Sequence, residues 1–234
     1  PVTWEKSDGA GPVTEADLAT DKLLRERLLA ARPSFGWLSE ETEDSPDRLE
    51  QETVYIVDPI DGTRSFIGGS NTWAISAALT HQGSPVAAVV HLPSRGLTYM
   101  AALGHGATKN GAPISASHTS DPVEAKLLSA KINFTDSFWQ RTPHRPDLSF
   151  RSSLAYRMAL VAEGKFDAMI TLRPTWEWDV AAGALLVTEA GGAASTTQGA
   201  PRFNSAGAQL PGLLAGAPTL IKHYVSHGPR LPTA

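Results

Sequence analysis

Asp58 and Asp61 stand three positions apart at the end of an apolar run, Tyr55-Ile56-Val57, with Pro59-Ile60 between them and Gly62-Thr63 directly behind. Two carboxylates brought that close repel each other, and one is driven toward protonation unless a cation lies between them. Carboxylate and carbonyl oxygens are hard ligands that suit Mg²⁺ or Mn²⁺ rather than zinc. Gly62 lets backbone approach a ligand closely, and a helix opening at Thr63 would turn free N–H groups toward an anion. A divalent cation beside an anion cradle points to phosphate chemistry. Two more acids are candidates to converge on this corner: Glu40, after a short apolar segment, and Asp179, where a helix is predicted to start. Taken singly, they read as a solvated loop acid and a helix N-cap.

The elements that must position these groups follow from periodicity and punctuation. Residues 1–12 read as a loop or weak hairpin. Thr14-Glu15-Ala16-Asp17 is a capping box that opens a helix to about Ala31, with an apolar face of Leu18, Leu23, Leu24 and Leu28. A strand is predicted at Phe35–Leu38, then a solvated acidic loop over 44–52. The β-branched run ending at Asp58 is a buried strand that Pro59 is expected to stop. Runs at Trp73–Leu79, Val86–Leu92 and Leu97–Leu103, with turn signals ending in Asn110-Gly111, make a strand meander. Small polar residues at 115–124 mark a boundary between an N-terminal domain, 1–122, and a C-terminal one, 123–234. The second half alternates: strand 126–132, helix Ser153–Glu163, strand Phe166–Leu172, helix Asp179–Ala190, strands near Ala193 and Leu213–Ala215, and helix Pro218–Ser226. An antiparallel half and an alternating half predict layered α+β and α/β architecture.

At 234 residues the chain can bury a substantial core. Its formal net charge of −4 gives no general attraction to nucleic acid or to an anionic membrane. No apolar run approaches the ~20 residues that span a bilayer, and no secretory signal is visible at the start. With no cysteine, disulfides, thiolate metal sites and a Cys nucleophile are excluded, which fits a cytoplasmic protein.

The motifs carry a resemblance. Val13-Thr14-Glu15-Ala16-Asp17, Ser39-Glu40-Glu41-Thr42, Asp58-Pro59-Ile60-Asp61-Gly62-Thr63, Gly104–Gly111, Trp178-Asp179-Val180-Ala181-Ala182-Gly183 and Glu189-Ala190-Gly191-Gly192 occur in order along the chain. This set resembles the inositol monophosphatase superfamily of Mg²⁺-dependent, lithium-sensitive phosphatases. The resemblance implies a layered αβαβα sandwich with an antiparallel N-terminal sheet and a mixed C-terminal one. It implies one metal on Glu40, Asp58 and the Ile60 carbonyl, a second on Asp58, Asp61 and Asp179, and a weaker third on Glu40 and water. It further implies an attacking water oriented by Thr63, itself bonded to Asp17, phosphate held by the Gly62 and Thr63 N–H groups, direct attack without a phospho-enzyme, and a homodimer. The family's usual long helix before the segment matching Trp4–Asp17 is not in this sequence, which would leave a face of the first sheet open or covered by a partner subunit.

Substrate choice is less sharply written. The family's inositol-specific enzymes carry an acid just after the strand matching Phe166–Leu172, and Thr171-Leu172-Arg173 has none. Arg173–Asp179 with Ser152-Ser153-Leu154 is more similar to the 3′(2′),5′-bisphosphate nucleotidase branch, making Ser153 and Glu177 candidate substrate contacts. Arg64-Ser65-Phe66 is similar to the histidinol-phosphatase branch. The expected substrate is therefore a small phosphorylated metabolite, with inositol and histidinol phosphates as alternatives to the nucleotide. Two rival readings are an aspartyl-phosphate phosphatase of the haloacid-dehalogenase type, whose Asp-x-Asp spacing differs by one residue, and a silent metal or nucleotide sensor on the same fold. His223 and His227 read as a surface face, Trp176 and Trp178 as core or rim packing, and Arg141, Arg145 and Arg151 as solvated or facing a second phosphate.

Overall fold

The computed structural model describes residues 2–6 and 11–230. A ribbon pairs β1 (Thr3–Glu5) antiparallel with β2 (Pro12–Thr14). Thr14 then caps α1 (Glu15–Ala31) through the expected capping box, its own N–H donating to the Asp17 carboxylate at 2.9 Å. The face of α1 differs from expectation. Its buried residues are Asp17 and Asp21, whereas Leu18 and Leu23 are exposed. Positions 17, 21, 24 and 28 form the inward stripe, with Leu24 and Leu28 half-buried. Its first turns meet polar partners at the ends of neighbouring strands, so carboxylates rather than leucines occupy them.

The first sheet runs in spatial order through β3 (Gly36–Ser39), β4 (Thr53–Asp61), β5 (Ala74–His81), β6 (Ser84–Leu92), β7 (Leu97–Ala102), β8 (Ala107–Lys109) and β9 (Ala112–Pro113). Only its first pair, β3 with β4, is parallel. Pro59 does not stop β4, which continues to Asp61. The pairing with β3 has already ended at Val57, so the missing proline N–H breaks no ladder bond on that side. On the other side the register with β5 shifts between Asp58 and Asp61. This bulge bends the strand end that the two aspartates share. The loop before β4 is not merely solvated: it holds a 3₁₀ turn, Pro46–Glu50, with Arg48 buried in it. After β4, the short helix α2 (Thr63–Ile67) starts from Gly62 in the left-handed region, φ 96°.

The second sheet is mixed. It comprises β10 (Lys126–Ser129), β11 (Asp147–Ser149), β12 (Ala168–Thr171), β14 (Ala193–Ser195) and β16 (Leu213–Gly216), in the order β11-β10-β12-β16-β14. The strand β13 (Thr175–Trp176) pairs apart from it with β15 (Gln209–Leu210). β10 is shorter than expected because the chain turns into 3₁₀ geometry at Lys131–Phe134. Helices α3 (Leu154–Ala162) and α4 (Glu177–Glu189) lie between the sheets and are buried on nearly every side. They join Ile56, Val90 and Tyr99 of the first sheet to Met169 and Leu213 of the second in a single apolar cluster. A Cβ on Gly183 would meet the Met158 side chain at 2.5 Å, so α3 and α4 approach this closely only with glycine there. Met158 is fully buried, a contribution of about 1.5–3 kcal/mol.

The last helix, α5 (Pro218–Ser226), packs on the far side of the second sheet, where Tyr224 joins Phe134 and Trp139. With α1 outside the first sheet, the layers read α, β, α, β, α, as the motifs implied. The outer face of β6 and β7 leaves Val89 and Met100 exposed. No helix among the described residues is long and apolar enough to cross a membrane.

Candidate metal centre and its flanking cavities

Asp58 and Asp61 reach one corner from the bulged end of β4, and Asp179 reaches it from the first turn of α4. One carboxylate oxygen of each lies within 4.8 Å of the others. Asp58 and Asp61 are buried, at 1% and 6% exposure. Burial pushes the Asp58 carboxyl well above its usual range, and the charges of Glu40, Asp61 and Asp179 push it further. Asp179 is raised by burial, then by Asp61 and Glu40. Asp61 rises to about 6 for the same first reason, held back by the Ser153 hydroxyl, the Ala155 N–H and the Arg157 charge. Among the described residues no Lys, Arg or His forms an ion pair with any of the three. Crowded carboxylate oxygens without a cationic partner, two of the three side chains buried and the third half-buried, are the donor set that a hard divalent cation fits.

The remaining expected ligands border this corner. Ile60 donates its N–H to Asp58 Oδ1 at 2.9 Å, while its carbonyl faces the Thr63 hydroxyl at 3.1 Å. Thr63 Oγ1 is also 3.3 Å from Asp17 Oδ1, which brings the Asp58–Thr63 and Val13–Asp17 motifs into contact. Glu40 exerts its charge on Asp58 and Asp179, yet its carboxylate accepts from Lys6 Nζ at 2.9 Å. Lys6 also donates to Glu41 at 2.7 Å. Burial works to lower the Lys6 ammonium, but Glu40 and Glu41 outweigh it and the net shift is upward. Asp21 holds the same loop by accepting from the hydroxyls of Ser39 and Thr42. Its spacing of four from Asp17 on one helix was the available signal.

Two expected substrate contacts have other duties. Ser153 is fully buried as the N-cap of α3: it accepts from the Tyr156 N–H and donates to Asp61 Oδ2 at 2.7 Å. The Ala155 N–H reaches the same oxygen at 2.6 Å, so the start of α3 fixes Asp61. Glu177 is likewise fully buried, accepting from the N–H groups of Asn204 and Ser205 and from the Ser205 hydroxyl at 2.6–2.9 Å. Neither side chain is free to meet a ligand. α4 begins at Glu177, with Asp179 inside its first turn rather than at its cap.

Two cavities flank the corner. The larger, about 810 Å³, opens beside Glu40 and is walled by Trp4, Lys6, Leu18, Trp176 and Trp178. The smaller, about 310 Å³, borders Asp179 and is lined by Phe150, Arg157, Arg173 and Trp176. Trp176 belongs to both and lies stacked on Trp178, centroids 4.7 Å apart. Trp178 is buried, whereas 42% of Trp176 is exposed, so this pair forms the rim between the cavities. Arg141, Arg145 and Arg151 line neither cavity. His223 on α5 and His227 at its C-terminal cap lie together, with rings 4.4 Å apart, and line neither cavity.

Over residues 2–226 the chain matches the Inositol monophosphatase family. It is 32% identical over 199 residues to a 3′(2′),5′-bisphosphate nucleotidase CysQ of Aggregatibacter actinomycetemcomitans, an alignment covering 82% of this chain and 74% of that one. It is 33% identical over 218 residues to an inositol-1-monophosphatase of Rhizobium meliloti, covering 86% and 77%. The inositol monophosphatase structure from Anabaena (Nostoc) superposes with a TM-score of 0.80 at 26% identity, covering 92% and 86%. The chain belongs to the inositol monophosphatase family, and it is a phosphoric monoester hydrolase.

Proposed function

We propose that this phosphatase removes the 3′-phosphate from a 3′(2′),5′-bisphosphate nucleotide, using two or three Mg²⁺ ions held by its own carboxylates. The observation that carries the metal reading is the convergence of Asp58, Asp61 and Asp179 within 4.8 Å. Glu40, Asp58 and the Ile60 carbonyl would hold one ion, Asp58, Asp61 and Asp179 a second, and Glu40 with water a third. When bound, such ions neutralise phosphoryl charge and acidify a water molecule. The protein's part is orientation. Thr63 donates to Asp17 or to the Ile60 carbonyl, leaving its oxygen lone pairs to accept from the attacking water. Asp17 is itself fixed by the Thr14 N–H and hydroxyl. The N–H groups of Gly62 and Thr63 hold the phosphate.

Three features support a nucleotide over inositol phosphate. No carboxylate stands at Thr171-Leu172-Arg173 to hold a sugar diol. The exposed face of Trp176 offers a purine ring a stacking surface. The relative from Aggregatibacter is named for that activity. The enzyme is expected to work in the cytoplasm as a homodimer and to be inhibited by millimolar Li⁺.

Phosphate release from adenosine 3′,5′-bisphosphate, inositol 1-phosphate, histidinol phosphate and fructose phosphates, at one Mg²⁺ concentration, tests the reading. The nucleotide is expected to give the highest kcat/KM. If inositol 1-phosphate is turned over as well or better, the substrate reading falls. If nothing is hydrolysed with Mg²⁺ present, the reading as a silent sensor takes its place.

A further inference from the structure

Arg157 is a charged residue in an unusual position. It lies on α3 with only 6% of its surface exposed. Its hydrogen bonds go to backbone carbonyls, from Nε to Arg151 and weakly, at 3.5 Å, from Nη2 to Ser152. Nη1 has no hydrogen-bond partner among the described residues, and no carboxylate of theirs lies within 4.0 Å of the guanidinium. The Phe150 ring packs against the guanidinium, 4.2 Å from Cζ to its centroid. Burying a cation without a paired anion is costly. What offsets the cost at a distance is the charge of Asp61 and Asp179.

That offset is conditional. Divalent cations among Asp58, Asp61 and Asp179 would consume the carboxylate field and leave Arg157 an uncompensated buried charge. Arg173, on the loop before β13, lines the same 310 Å³ cavity and repels Arg157. Arg173 is exposed and Arg157 buried, and two cations lining one cavity are tolerated best with an anion between them; guanidinium forks suit phosphate oxygens. The cavity also reaches Asp179, so an anion held there is adjacent to the reacting centre.

We propose that Arg157 and Arg173 form the subsite for a second, non-reacting phosphate of the substrate, making this cavity the feature that favours a bisphosphate over a monophosphate. The inference rests on the nucleotidase reading for the identity of the ester. Under it, the 5′-phosphate of adenosine 3′,5′-bisphosphate occupies the arginine cavity while the 3′-phosphate faces the carboxylates.

The test compares kcat/KM for adenosine 3′,5′-bisphosphate and adenosine 3′-monophosphate in the wild type, Arg173→Ala and Arg173→Lys. The ratio is expected to fall at least ~10-fold in Arg173→Ala, the scale of one charge-assisted hydrogen bond, and to recover in part in Arg173→Lys. Arg157→Lys extends the test inward with its charge retained, and Arg157→Gln is read only if its melting curve shows a folded protein. Calorimetric binding of adenosine 5′-monophosphate, against adenosine as control, is measured in parallel because it needs no turnover. Binding of the 5′-monophosphate should weaken ~10-fold in Arg173→Ala, and adenosine binding much less. If no ester is cleaved but this difference appears, the subsite stands and the phosphatase substrate reading falls. If Arg173→Ala leaves both the ratio and the 5′-monophosphate affinity unchanged, the arginines serve only to balance the acidic corner and the proposal is overturned.

Discussion

Glu177 and Asp179 sit two residues apart in the first turn of α4 and enter opposite kinds of surroundings. Glu177 is met by three donors from Asn204 and Ser205. Those residues also receive Arg48, whose guanidinium bonds Asp44 at 2.6 and 2.9 Å, the Asn204 side chain at 2.7 Å and the Ser205 carbonyl at 3.0 Å. Each charge in that cluster finds partners inside the protein. Asp179 instead joins Asp58 and Asp61, three like charges with Arg157 too far to pair. The first cluster is complete and ties the loop before β4 to the segment before β15. The second is incomplete until something from solution joins it. Burial alone does not separate structural from functional acids, but the supply of internal partners does.

Breaking the incomplete cluster should have the largest effect on turnover. Asp61→Asn is expected to lower kcat by ~10³-fold or more, several kcal/mol of lost charge stabilisation. It should leave the fold intact, since Asn can still accept from Ser153 and Ala155. Phosphate release with a parallel thermal melt checks both halves, and wild-type turnover in this variant would remove Asp61 from the metal role. Breaking the complete cluster should act on stability. Glu177→Gln leaves three donors facing an amide and is expected to cost about 3 kcal/mol, roughly 6–12 °C in melting temperature for a chain of this size. Activity of the folded fraction should survive, and a stable but inactive Glu177→Gln would dissolve the contrast.

A subtler measurement sharpens it through pH. Asp61 has a folded value of about 6 without metal, against about 3.9 unfolded. Between those values the folded protein binds more protons, so this group makes metal-free stability decline as pH rises from about 4 to 6. Metal binding should reverse that penalty. The rise in melting temperature on adding MgCl₂ to chelator-treated protein is therefore expected to be larger at pH 7.5 than at pH 5, with the gap reduced in Asp61→Asn. An equal rise at both pH values would show that the carboxylates do not titrate against the metal.

Much of the layered fold could be read from the sequence because its signals are local. The Thr14–Asp17 capping box, the alternation in β5 and the Asn110-Gly111 hairpin need no distant partner to be recognised. Misreadings fell where a distant partner outweighed local preference. Pro59 stays within β4 because β3 has already ended. The inward face of α1 is acidic at its start because Thr14, Ser39 and Thr42 wait there with hydroxyls. Ser153 and Glu177 looked like substrate contacts because their roles depend on Asp61 and on the 204–205 turn, far away in the chain.

The order of acidic motifs, and with it the family and its phosphatase chemistry, was settled by the sequence, since Asp-x-x-Asp-Gly-Thr after a buried strand has few other uses. Which charged groups are left without internal partners was decided only in three dimensions. Arg48 has one local partner, Asp44 four residues before it, and Arg157 has no acid that close in the chain, but an i,i+4 pair by itself does not bury an arginine. Packing adds Asn204 and Ser205 to Arg48 and places Arg157 at a cavity wall. The electrostatic cost of burying a charge is set by its neighbours in space, and those that complete the Arg48 cluster and leave Arg157 without an anion come from chain positions that no short motif connects.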